Sequence, residues 1–197
     1  YSRKPNTDYT FLYKIQQADN KYEFEYYNST NLPSFLTLGI DHWGYWNGQD
    51  NNRTLIPGYE FNINTGDYRI TGTQRNSNSD LANVSLLKKV TYPTGGTSEF
   101  EYEGHDYSER IDRNSNSQFL QTIIAENGNV GGARIKKIKT KADISSDTNI
   151  KEYKYINNNN KSSGILTDYR RYLFYNQTKG NGFTSHVVKE LNNNFTY

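Results

Sequence analysis

Leu87-Lys88-Lys89-Val90-Thr91-Tyr92-Pro93-Thr94-Gly95-Gly96, followed after two residues by Glu99-Phe100-Glu101-Tyr102, decides the fold of this chain. The second run alternates with a period of two, so Phe100 and Tyr102 share one face of a strand while Glu99 and Glu101 share the other. Between the runs, Pro93 sets a fixed φ, and Gly95 and Gly96 are free to take φ > 0, which is the chemistry of a tight connection. The stretch therefore reads as a hairpin with one buried, aromatic face and one wet, charged face.

The same grammar occurs on both sides of it. Leu12-Tyr13-Lys14-Ile15 precedes Tyr22-Glu23-Phe24-Glu25-Tyr26, and Ile135-Lys136-Lys137-Ile138 precedes Glu152-Tyr153-Lys154-Tyr155. The connectors differ in length, Ala18-Asp19-Asn20 in one case and Asp143 to Asn149 in the other, so variation sits in the turns and not in the strands. His186-Val187-Val188-Lys189-Glu190-Leu191, then Asn192 to Asn194 and Phe195-Thr196-Tyr197, reads as a fourth copy cut short. Repetition on this scale predicts a mainly β fold of antiparallel hairpins, stacked as a repeat-like meander or curled sheets, with at most one or two short helices. Ser117 to Ile124 suits a short helix after a Ser N-cap, or a strand because of Thr122-Ile123-Ile124. Polar stretches at Gln74 to Asp80, Asp112 to Ser117 and Asn157 to Ser163 read as surface loops. The first of these divides the chain into 1–75 and 76–197, unless it is one continuous domain.

At 197 residues the chain can bury a core without a covalent staple. Its apolar content is low, but 18 Tyr, 9 Phe and 2 Trp provide amphipathic rings that disordered segments lack. A net charge of +2 gives no global attraction to nucleic acid. With no cysteine, disulfides, thiolate metal sites and cysteine nucleophiles are excluded. No apolar run is long enough to span a bilayer, and no leader is visible. Because the chain starts at Tyr1 and contains no Met, the expectation is an interior segment of a larger exported protein, located outside the cell or on its outer surface.

Taken in order, Leu87 to Gly96, Glu99-Phe100-Glu101-Tyr102-Glu103, Gly131-Gly132-Ala133-Arg134-Ile135-Lys136-Lys137-Ile138, Lys151-Glu152-Tyr153-Lys154-Tyr155 and Lys161-Ser162-Ser163-Gly164-Ile165-Leu166 closely resemble the RHS/YD-repeat-like surface proteins of Bacteroidetes. Asp41-His42-Trp43-Gly44-Tyr45-Trp46-Asn47-Gly48 with Leu55-Ile56-Pro57 looks like a segment those proteins carry upstream. The resemblance implies a scaffold within a large exported chain, whose partners are the rest of that chain and a C-terminal toxin or effector. Tyr-Asp-x-x-Gly-Arg does not occur, so the resemblance favours a repeat scaffold over a closed toxin shell.

Asp41 to Gly48 is the densest cluster of chemistry. Trp43, Tyr45 and Trp46 offer faces on which a sugar ring or a protein surface can stack, with Asp41, His42 and Asn47 to bond hydroxyls. The bland alternative is structural: glycines turn the loop, its rings cap an end of the sheet, and Asp41 and His42 bond the loop backbone. Catalytic patterns are weak. His42, His105 and His186 stand far apart in no metal-binding spacing, no nucleophile elbow is present, and Glu99, Glu101 and Glu103 alternate along one strand opposite lysines. Arg134 to Lys141 reads as a solvated strand facing Glu152, and Gly131-Gly132 lacks the following helix of a phosphate loop. No enzyme activity, cofactor or metal is expected.

Overall fold

The computed structural model describes backbone and side chains for residues 9–56, 72–112 and 121–167, and the backbone of the strands elsewhere. In chain order the strands are β1 (Ser2–Arg3), β2 (Thr10–Phe11), β3 (Lys14–Gln17), β4 (Asn20–Tyr26), β5 (Gly58–Asn62), β6 (Asp67–Thr71), β7 (Leu87–Thr91), β8 (Gly95–Arg113), β9 (Gln121–Asp143), β10 (Asn149–Glu152), β11 (Ile165–Leu166), β12 (Arg171–Gly180) and β13 (Phe183–Asn192). Among the described residues the helical content is one 3-10 turn, Ser79–Leu81. The protein is mainly β, as its periodicity predicts.

Seven strands make one sheet in the order β10-β9-β8-β7-β4-β3, with β11 added in parallel to β8. The three hairpins predicted from the sequence are β3–β4, β7–β8 and β9–β10, and they lie side by side as an antiparallel meander. Because β4 pairs with β7, the sheet runs uninterrupted across position 75. Residues 121–124, half of the stretch that suits helix or strand, belong to β9, while 117–120 lie outside the described residues. The segment expected to open a fourth copy lies in β13, which pairs with β12 in a separate ladder. Positions 193–197 lie outside the described residues.

The three hairpins share one register. In each, the first Glu of the alternating strand faces a Lys of the aliphatic strand: Lys14↔Glu23, Lys89↔Glu99 and Lys137↔Glu152. Successive hairpins join by a second rule. Phe24↔Val90 and Glu25↔Lys89 are followed by a slip to Tyr26↔Leu87, and Phe100↔Ile138 and Glu101↔Lys137 by the same slip to Tyr102↔Ile135. The slip leaves Lys88 and Lys136 as extra residues, each a β-bulge that increases local twist. Opposite charges therefore alternate across the wet face. Lys89 and Glu99 pair at 3.1 Å, and Lys139 and Glu101 at 2.5 Å.

Tyrosine carries the other face. Val90 is the sole buried aliphatic residue among those described, at 8 % exposure, so packing relies on rings whose hydroxyls must find partners. Tyr27 and Tyr102 meet edge-to-face at 6.1 Å, and Tyr27 Oη donates to the Phe100 carbonyl at 2.9 Å. Phe11, Tyr13 and Tyr26 form a similar cluster under the first hairpin. At the second turn, the Gly95 N–H donates to the Tyr92 carbonyl and Gly95 sits at φ +79°, the left-handed residue that the sequence supplies after Pro93-Thr94.

Candidate functional site

The long excursion between β4 and β7 brings the Asp41 to Asn47 loop back onto β9. The sheet is prepared for it by the register shift at Gly104↔Ala133 and His105↔Val130, which leaves Gly131 and Gly132 as two extra residues on β9. Gly132 adopts φ +93°, and a Cβ there would lie 3.0 Å from the Tyr45 ring. A Cβ at Gly131 would meet Asp41 and Tyr45. The two glycines of this bulge are thus a seat for the loop: side-chain size demands glycine at both, and backbone conformation demands it at Gly132 as well.

Asp41 is 1 % exposed, and its carboxylate organises the loop from within. Oδ1 accepts the N–H groups of Trp43 at 2.8 Å and Tyr45 at 2.9 Å, and Oδ2 accepts the Ser77 hydroxyl at 2.8 Å. Arg75 closes the underside: its guanidinium donates to the carbonyls of Asp41 at 2.6 Å, Leu55 at 3.0 Å and Ile40 at 3.3 Å. Asn47, 2 % exposed, donates through Nδ2 to the Gln74 and Asn76 carbonyls and accepts the Gln49 N–H. Gly44 at φ +89° and Gly48 at φ +79° allow the tight reversals. Trp46 is tied by Nε1 to Asp50 at 2.9 Å, and His42 meets Trp43 edge-to-face at 6.1 Å.

The cluster therefore divides. Asp41 and Asn47 spend their polar atoms inward, on the loop backbone and on the 74–77 segment beneath it, whereas Trp43 at 38 % and Tyr45 at 52 % exposure turn ring surface outward. Two clefts flank the loop and share Asn78. One, about 410 Å³, is walled by Tyr45, Trp46, Leu81, Val84, Leu86 and Val130. The other, about 300 Å³, is lined by amide and hydroxyl side chains, among them Gln49, Gln74, Asn76, Ser79 and Asn129. These amides come from three separated segments, which is why the sequence around Trp43 does not announce them. Nor do Arg75 and Ser77, which hold Asp41 from more than thirty positions away, carry any local signal.

Next to the seat, Arg134 forms ion pairs with Glu103 at 2.8 Å and Asp106 at 2.9 Å and lies over the Tyr155 ring at 4.2 Å. Asp106 also accepts the Ser162 hydroxyl at 2.6 Å, and the Ser108 hydroxyl donates to the Ser162 carbonyl at 2.7 Å. The Ser162-Ser163-Gly164-Ile165-Leu166 run is thereby clamped along β8, opposite Glu109 and Arg110. Glu99, Glu101 and Glu103 each meet a cation, namely Lys89, Lys139 and Arg134. The hydrogen bond from Lys139 holds the Glu101 carboxyl below its ordinary range, the opposite of what a general acid requires. The basic run of β9 thus faces the β8 glutamates on one side and Glu152 on the other.

No family model matches the chain, and neither does any curated protein or solved structure.

Proposed function

We propose that this chain is a non-catalytic scaffold segment of a large, exported, RHS-like repeat protein located outside the cell or on its outer surface. The observation that carries the reading is the shared register: three hairpins join by one pairing rule, down to the position of the bulge. Such a rule lets units be added laterally and serves architecture, whereas an enzyme needs one singular arrangement of groups. In this reading the partners are the remaining repeats of the same chain and a C-terminal toxin or effector. Protease treatment of intact source cells, with an antibody to this segment, tests it. Rapid digestion of the segment with cytosolic markers preserved is expected; protection until lysis overturns the reading.

A second reading, a module binding a neutral glycan or a protein surface, is favoured by the outward rings of Trp43 and Tyr45 and by the amide-lined cleft that the same loop reaches through Asn47. Stacking on the rings and hydroxyl bonding to the amides would act together. A glycan array probed with the wild type, Trp43→Ala and Tyr45→Ala distinguishes the two readings. Signals lost in both folded variants support binding, and an array without signal leaves the scaffold alone.

A further inference from the structure

β10 is the last strand of the sheet, and Asn149–Glu152 is exposed along its whole length. Tyr153 continues the strand, since its N–H donates to the Lys136 carbonyl at 2.9 Å. Backbone groups alternate sides along a strand, so Glu152 and Lys154 turn theirs outward. In the first hairpin the same alternation applies: the Phe24 N–H bonds the Tyr13 carbonyl, and Glu23 and Glu25 face β7. The outer edge of the third hairpin is therefore equivalent to edges that are occupied in the first two.

We propose that this edge is occupied by Val188-Lys189-Glu190-Leu191 of β13, in the register that joins the other hairpins. That register sets Tyr153 opposite Leu191 and Lys154 opposite Glu190, bulges Lys189, and sets Tyr155 opposite Val188. The charge pattern selects the segment. At the two existing joints a Glu faces a Lys, Glu25↔Lys89 and Glu101↔Lys137. At the third the sequence carries Lys154 in place of the Glu and Glu190 in place of the Lys, so the signs are exchanged together and the pair remains opposite. Spacing matches the second joint, where Ile135 lies 33 positions after Tyr102 as Val188 lies 33 after Tyr155, although at the first joint the long excursion sets Leu87 61 positions after Tyr26.

The free edge of β13 also agrees. Its ladder with β12 closes at Gly180↔Phe183, with hydrogen-bonded and non-bonded pairs alternating outward. If Gly180↔Phe183 is a hydrogen-bonded pair, Leu173↔Glu190 is a non-bonded one and the backbone groups of Glu190 turn away from β12. A second copy of the chain, adding head to tail through Leu12-Tyr13-Lys14-Ile15, would set Lys14 opposite Lys154 and is disfavoured by like charge. The inference rests on sheet register alone, so the exported-scaffold reading can fail without touching it.

Engineered cysteines test it in a chain that has none of its own. Tyr153→Cys with Leu191→Cys fills a non-bonded pair, where Cα atoms lie about 4.5 Å apart, within disulfide reach. Tyr153→Cys with Lys189→Cys is out of register. Under mild oxidation in dilute solution, the first pair is expected to cross-link within the monomer several-fold faster than the second. Adding Lys154→Glu to the first pair should slow it, and adding Glu190→Lys as well should restore it. Equal rates for the two pairs, or a disulfide found only between molecules, overturns the proposal. Hydrogen exchange of the wild type covers the case in which the variants fail to fold: a slowly exchanging Lys154 amide supports the pairing, and exchange at the rate of an open strand refutes it.

Discussion

The Tyr155 hydroxyl donates to the carbonyl of Ile135 at 2.7 Å, and this bond has two counterparts. Tyr102 Oη donates to the Leu87 carbonyl at 2.9 Å, and Tyr26 Oη to the Leu12 carbonyl at 3.0 Å. In each hairpin the donor is the last residue of the Glu-aromatic-x-Tyr motif, and the acceptor stands two positions before the Lys that faces its Glu. The connectors differ in length, yet the bond recurs, because strand register and not the turn brings the ring over that carbonyl. The tyrosine that the repeat requires is thus a latch between the strands of its own hairpin.

Removing the latch should cost little singly and add up. Tyr26→Phe, Tyr102→Phe and Tyr155→Phe each delete a hydroxyl while keeping the ring, for a loss of about 0.5–1.5 kcal/mol. The three sites share no bonding partner, so the triple variant should lose about the sum. Urea unfolding measures this; three variants with unchanged midpoints would show that the bonds contribute nothing net.

Asp41 should matter to folding before it matters to any ligand. Asp41→Ala strands the N–H groups of Trp43 and Tyr45 and the Ser77 hydroxyl in a buried site, at about 1–3 kcal/mol for each group left unsatisfied. Asp41→Asn keeps an acceptor for the two N–H groups and should be distinctly milder. Denaturant unfolding followed by tryptophan fluorescence reads both effects, since Trp43 and Trp46 flank the carboxylate.

Gly132→Ala should destabilise by more than an ordinary surface substitution, about 1 kcal/mol or more, because a Cβ is strained at φ +93° and lies against the Tyr45 ring. Adding Tyr45→Ala should recover the steric part and leave the backbone part. A double variant as unstable as the sum of the singles would mean that the loop does not sit on the bulge.

Alkaline pH should unfold the protein early. Burial, reinforced by neighbouring phenols, raises the pKa of Tyr26 and Tyr102, and burial with the Glu101 charge raises that of Tyr27. A raised value means that the folded state holds the proton more tightly, so this stability is fully present below the unfolded tyrosine value of about 10 and is lost as pH rises through the folded values. Glu101 runs the other way: depressed by Lys139, it contributes above its unfolded value and loses that contribution as pH falls through the folded one. With both side chains about a third exposed, that pair should be weakened by salt, whereas the part of the tyrosine effect that comes from burial should not. Tyrosinate absorbance recorded alongside circular dichroism tests the alkaline limb, which Tyr102→Phe should flatten.

The hairpins were legible in the chain because period-two alternation, a Pro-Thr-Gly-Gly turn and the recurrence of Glu-aromatic-x-Tyr are local signals, each interpretable within about a dozen residues. Sequence alone determined the β class, the three hairpins, and the opposition of Glu to Lys across the wet face. It also marked Asp41 to Asn47 as a unit. Only the tertiary structure decided that Asp41 and Asn47 turn inward while Trp43 and Tyr45 turn outward, because that division depends on Arg75, Ser77 and the Gly131-Gly132 seat. It likewise decided the rule joining one hairpin to the next, bulge included. Pairing across a long excursion is set by which faces and charges meet in space, and no window along the chain contains both sides of that contact.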